Sequence, residues 1–322
     1  MSAAPPRSWV IAAALIGVTL LALALRLWHL GQESLLYDEW FSLLRAGEPI
    51  GRTVRGHWLA TTTPLYYLIL KVFVEILGES EVALRLPSVL AGAAAVPILA
   101  RIGRRLFDAK TGAVAALLLA ASSFHVYHSQ VARMYTLVVL LALLSMEFFA
   151  GLGGHRGRWV RIGYVVSTAA LVYTHYFGGF VVLAQGVALA VGNLRDSGRR
   201  RMLSAWLAEA AAVAVLLLPW AGSLARQVSG AAEALPWIPA ATLSTVVWLL
   251  GRLYGSAHLL VLLVGACVVG IVCKRAPRDW PAEAVNRWLL LSSWLLLPHL
   301  LLIGFSVLAF PLYFDRYVIV TL

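Results

Sequence analysis

The chain has 322 residues, 61% of them hydrophobic and only 13% charged, with a mean hydropathy of +0.83. Soluble domains carry about 25% charged residues, so this composition excludes a soluble globule and makes the bilayer the solvent to reason with. The net charge of +11 is no nucleic-acid footprint either: the basic residues fall in short clusters between apolar stretches, as topology signals do.

In chain order, residues 9–28 form the first apolar run. Ala22-Leu23-Ala24 has the small-x-small pattern of a signal-peptide cleavage site, but only Arg7 precedes the run and the run continues past the pattern, so an uncleaved span is expected. Residues 29–83 make the longest connection, and Trp28, Tyr37, Trp40 and Phe41 mark it as ordered rather than a free linker. Within it, 64–77 (PLYYLILKVFVEIL) reads as a short helix opened by Pro64, with Lys71 and Glu75 one turn apart. Fourteen residues are marginal for a span. Spans are expected over 84–106, 109–124, 134–152, 160–174, 176–193, 202–220, 256–273 and 287–310, with another beginning at 313–322. Ala and Leu dominate and no alternation of period two runs through them, so the class is all-α, a polytopic transmembrane helical bundle. Cys267 and Cys273, at i and i+6 in one apolar run, share no helix face and support neither a disulfide nor a metal site.

The segment 64–77 decides the topology. If it crossed, the later Arg clusters would lie outside; if it lies in the interface, sixteen of the 26 basic residues fall on the cytoplasmic side, and the positive-inside rule selects that arrangement. The outer side then receives 29–83, 125–133, the neighbourhood of 175, 221–255 and 311–317, with nine of the 15 acids. No Gly-rich phosphate loop or dinucleotide fingerprint occurs, so the chemistry is expected outside.

Asp38 and Glu39 stand in LYDEW, hemmed by Leu35, Leu36, Tyr37, Trp40 and Phe41. Such a pair is either ordinary loop charge or a carboxylate held in a cleft, where desolvation suits a general base. The stretch SSFHVYHSQVARMY (122–135) puts His125, His128, Gln130, Arg133 and Tyr135 in the turn between two spans. Arg133 there either pairs with a phosphate or carboxylate or snorkels to the headgroups. His125 and His128, at i and i+3, are either interfacial residues or metal ligands. His57, His175 and Arg316 fall at the same outer level; the bland alternatives are interfacial aromatics with belt residues and a simple pair of Arg316 with its neighbour Asp315.

These residues carry a resemblance. LRLWHLGQESLLYDEWFS (25–42), TPLYYLILKVFVEILGESEVALRLPSVLAG (63–92), GRRLFDAKTGAVAALLLAASSFHVYHSQVARMYTL (103–137) and YTHYFG (173–178), with LPW at 218–220 and WIP at 237–239, resemble the GT-C lipid-linked-sugar glycosyltransferases. The nearest resemblance is to the family-39-like group of protein O-mannosyltransferases and lipid A sugar transferases. It implies interfacial helices in the first outer loop, 29–83, and one GT-C-like domain over 1–322 that continues past Leu322. It implies a catalytic Asp38, with Glu39 holding the acceptor or a divalent cation, and Arg133 and Arg316 on the leaving phosphate. Tyr67, Tyr135, Gln130, His57 and His175 would line the substrate site. The partners implied are a polyprenyl-phosphate-linked sugar, a lipid, glycan or protein acceptor and the membrane, with no nucleic acid. The reaction would be an inverting transfer at the outer face of a bacterial plasma membrane. Thr62-Thr63-Pro64 departs from the His-Pro-Pro that relatives often carry before the LYY motif, which leaves the cation open and His57 no simple replacement. The competing class, a lipid or solute transporter or flippase, would place ionisable groups mid-span in broken helices; here few charges fall mid-span, chiefly Glu147 and Glu209.

Overall fold

The computed structural model describes residues 8–55, 63–152, 157–193, 200–229, 238–254 and 282–321. Among these every regular element is helical: α1 (Ser8–Leu27), α2 (Tyr37–Gly47), α3 (Ile50–Arg55), α4 (Leu65–Leu77), α5 (Glu81–Leu106), α6 (Ala109–Ala121), α7 (Ser123–Ser129), α8 (Tyr135–Leu152), α9 (Arg158–Thr174), α10 (Gly179–Asn193), α11 (Arg200–Ser229), α12 (Leu243–Tyr254) and α13 (Ala282–Leu308). The expected span 256–273, with both cysteines, lies outside the described residues, as does His57.

Several starts are written locally. The Ser80 hydroxyl accepts from the Ala83 N–H, the Asp108 carboxylate from the Thr111 N–H and the Ser122 hydroxyl from the His125 N–H, capping α5, α6 and α7. Among the described residues five helices are long and apolar enough to cross a bilayer: Trp9–Leu27, Glu81–Leu106, Tyr135–Leu152, Met202–Gln227 and Arg287–Leu308. A sixth arises if α6 and α7, bent by 58° at Ser122, count as one broken span. The chain is a multi-pass membrane protein.

At the centre, α5 packs against α1, α4, α6, α7 and α8, while α8 leads to α9, α9 to α11, and α10 to α13. The α5–α6 crossing is close because a Cβ on Gly103 would lie 2.7 Å from the Gly112 Cα; small residues let membrane helices meet at their backbones.

Two expectations are corrected. Residues 122–135 are no simple turn, since α7 occupies 123–129 after the bend. Residues 313–322 begin no span within the described chain: two 3-10 turns, 315–317 and 319–321, fold back onto α12 and onto α8 and α13. Tyr313, Val318, Ile319 and Val320 are buried, so their apolar character serves the protein core.

Candidate active site

The site grows from two adjacent carboxylates at the start of α2. Successive helical residues point about 100° apart, so Asp38 and Glu39 face different surroundings. Glu39 is fully buried. Its Oε1 accepts from Arg85 Nε at 2.8 Å and the Ala132 N–H at 2.8 Å; its Oε2 accepts from Arg85 Nη2 at 2.9 Å and the Leu36 N–H at 3.0 Å. Burial alone would raise this carboxyl's pKa, but the Arg85 guanidinium and the two backbone N–H groups outweigh it and hold the value below the ordinary one. Arg85 also donates to the carbonyls of Leu30, Glu33 and Ser34. One ion pair thereby ties α2, α5, the connection after α1 and the loop before α8.

That clamp places the chemistry. Asp38 is next to Glu39 and Arg133 is next to Ala132, so the Glu39–Ala132 bond fixes Asp38 against Arg133. The Arg133 backbone is held again from behind, its carbonyl accepting from Ser88 Oγ at 2.9 Å while Thr136 donates to the Ser88 carbonyl. Arg133 Nη1 reaches the Asp38 carbonyl oxygen at 3.5 Å and the Tyr67 hydroxyl at 3.4 Å, both long. Its Nε is buried with no partner, and among the described residues no carboxylate pairs with it.

The Asp38 carboxylate, 42% exposed, takes Arg316 Nη1 at 2.8 Å. Arg316 is carried by the first C-terminal 3-10 turn. Its neighbour Asp315 lies 3.2 Å from Arg252 of α12, close enough for an ion pair although not aligned as a hydrogen bond. The guanidinium carbons of Arg133 and Arg316 sit 5.9 and 6.0 Å from the centre of the Tyr135 ring. Two cations thus share one aromatic ring, a spacing that favours an anion between or beside them. His175, buried at the end of α9, packs its ring against Tyr135, Tyr317 and Phe177. Burial, then the charges of Arg133 and Arg316, push its pKa down to about 3, so it is neutral at ordinary pH. Its Nδ1 accepts from the Phe177 N–H at 3.3 Å and caps the turn that follows α9.

The model for the family described as dolichyl-phosphate-mannose-protein mannosyltransferase matches residues 61–222, half of the chain. The chain belongs to that family. Among solved structures, apo ArnT of Cupriavidus metallidurans is similar with a TM-score of 0.64 at 16% identity, over 97% of this chain and 57% of that one. The same enzyme bound to undecaprenyl phosphate gives 0.62 at 17%, over 98% and 58%. The oligosaccharyltransferase of Archaeoglobus fulgidus in complex with zinc and sulfate gives 0.58 at 15%, over 96% and 48%. At such identities the likeness is one of fold, the GT-C fold of membrane glycosyltransferases, and this chain spans about half of each neighbour's length. No curated protein matches the sequence.

Within this mannosyltransferase-family fold the structure gathers Asp38, Arg133, Tyr135, Tyr67, His175 and Arg316, and it separates two residues expected with them. Glu39 is corrected from a holder of acceptor or cation to a clamp, because four hydrogen bonds already fill its carboxylate. Gln130 is corrected from a substrate ligand to a helix cap: its Nε2 donates to the carbonyls of Leu25, Arg26 and Trp28 at the end of α1. Among the described residues no three His, Cys, Asp or Glu side chains converge. His125 Nδ1 is paired with Arg26 Nη2 at 2.7 Å. Sequence reasoning missed Arg85, Ser88 and Arg26. The signal was present for two of them: Arg26 and Arg85 are cations inside or at the edge of apolar runs, where an ionisable group needs a dedicated partner.

Proposed function

We propose that this chain is a polyprenyl-phosphate-sugar glycosyltransferase acting at the outer face of the membrane with inversion. The observation that carries the reading is Arg133: a half-buried guanidinium, held beside Asp38, whose buried Nε has no hydrogen-bond partner and which no carboxylate pairs with, both among the described residues. In this reading Arg133 and Arg316 bind the phosphate of the lipid donor and Asp38 receives the acceptor's hydroxyl proton. As that proton moves to Asp38, the acceptor oxygen bonds to the anomeric carbon. The carbon–oxygen bond to phosphate breaks, and its electron pair stays with the phosphate. Arg316 couples the two ends of the reaction, because it contacts the base and approaches the ring beside Arg133. That ArnT, of the same fold, was crystallised with undecaprenyl phosphate supports a polyprenyl carrier here.

The outer-face assignment draws on the helix ends. Arg85, near the start of α5, belongs to the site, whereas Arg101 and Arg105, near its end, pair with Glu147 toward the end of α8. The two ends of α5 lie about 39 Å apart at 1.5 Å per residue, so the basic cluster and Asp38 occupy opposite sides of a bilayer.

The test is sugar transfer in membranes supplied with radiolabelled polyprenyl-phosphate sugars. At equal expression Asp38→Asn should lower transfer by roughly 10²–10⁴-fold and Arg133→Met by roughly 10²–10³-fold. Undiminished transfer by Asp38→Asn would remove it as the base.

A further inference from the structure

His128 of α7 is only 6% exposed, and among the described residues neither of its buried ring nitrogens has a hydrogen-bond partner. A neutral imidazole carries one N–H and one lone pair, and leaving both unpaired in a protein interior opposes folding. The ring is packed edge-on by Phe124, Tyr127 and Tyr135, with centroids 4.4, 5.1 and 5.0 Å away. A phenylalanine would fill such an aromatic nest with no polar atom to satisfy. One turn earlier His125 is half-satisfied: its Nδ1 is bonded to Arg26, while its Nε2 has no partner among the described residues.

The location supplies the missing partner. Tyr135, against which His128 lies, is the ring that Arg133 and Arg316 both approach. On another side α7 packs against α12, whose Arg252 pairs with Asp315, the neighbour of Arg316. An anion held by the two arginines therefore shares the Tyr135 ring with the unpartnered imidazole.

We infer that His128 is a further ligand of the donor's phosphate, its N–H donating to a phosphate oxygen alongside Arg133 and Arg316. This rests on the reading of those arginines as the phosphate site. It makes His128 a neutral donor among cations, one that adds direction to the grip without adding charge.

The test uses the full chain purified in detergent, with undecaprenyl phosphate as the probe, reading affinity by tryptophan fluorescence and stability by thermal melting. His128→Phe should bind at least about tenfold more weakly, about 1.4 kcal/mol, with a melting temperature equal to or above that of the wild type. Weaker binding without lost stability is something a packing residue cannot produce. His128→Gln, which keeps a donor, should recover most of the affinity. Arg133→Met serves as the control for the underlying reading. Normal binding by His128→Phe beside lost binding by Arg133→Met overturns the role of His128 and leaves the phosphate site standing. A His128→Gln protein as weak as His128→Phe, with both melting early, assigns the residue to packing and also overturns it. Failure of the wild type to bind the probe overturns both readings together.

Discussion

Adjacent residues with the same functional group do different work here because a helix turns them apart. Glu39 has exchanged water for four fixed donors, and removing one side of such a buried pair costs about 3–5 kcal/mol because the other charge is left stranded. Glu39→Gln should accordingly destabilise the protein by about that amount and lower transfer as well, since the Ala132 contact sets Asp38 against Arg133. The sign with pH follows from the depressed carboxyl. Its stabilisation is present in full above the ordinary value of 4.5 and is lost as pH falls through the lower, folded-state value. In melting experiments the gap between wild type and Glu39→Gln should be constant above about pH 4.5 and close below it. A gap that persists undiminished in acid would mean that the glutamate acts by shape alone. The sequence displayed the Asp-Glu pair and Arg133 as candidates because charges are rare in so apolar a chain. It could not say which carboxylate turns inward, because that depends on where Arg85 and Ala132 lie, 46 and 93 residues away.

At the scale of elements, the helices were legible and their relations were not. Apolar runs of span length announce themselves by composition, and α5, α8 and α13 formed close to where those runs stand. The break at Ser122 is a matter of local capping, for its hydroxyl restarts the helix at α7, and average hydropathy is blind to a single hydroxyl. The segment 313–321 misled for a related reason: hydropathy cannot tell side chains destined for lipid from those destined for the core. The α5–α6 crossing offers a sharp test. A Cβ on Gly112 would lie 2.8 Å from the Arg104 backbone nitrogen and closer still to the Ala100 carbonyl oxygen, where no side chain can move aside. Gly112→Val should therefore force the helices apart, at a cost of at least about 1–3 kcal/mol, seen as a lower melting temperature in detergent. Gly17 of α1, with nothing within 4 Å of its would-be Cβ, should accept Ala without loss. Equal tolerance at both positions would show that the crossing does not depend on its glycines.

Across the whole molecule, the site is a closure between segments far apart in the sequence. Asp38 and Arg316 are 278 residues apart and meet at 2.8 Å. What delivers Arg316 is the C-terminal return: Trp294 of α13 donates to the Val320 carbonyl, and Val318, Ile319 and Val320 sit in the core. Asp315 is the electrostatic part of that delivery, since its Oδ1 accepts from the Arg316 N–H at 2.7 Å and its Oδ2 faces Arg252. Asp315→Asn keeps the size and one acceptor but loses the attraction to Arg252, so the turn carrying Arg316 should loosen. Arg252 is 43% exposed, which makes its pair a modest one. The expected result is a several-fold weaker response to the lipid-phosphate donor with an unchanged fold. The decisive measurement is a double-mutant cycle on donor affinity with Arg316→Met. If Asp315 works through Arg316, its substitution should cost little once Arg316 is gone, giving a coupling of about 0.5–3 kcal/mol. Purely additive losses would mean that Asp315 supports the core and that another contact steers Arg316 to Asp38.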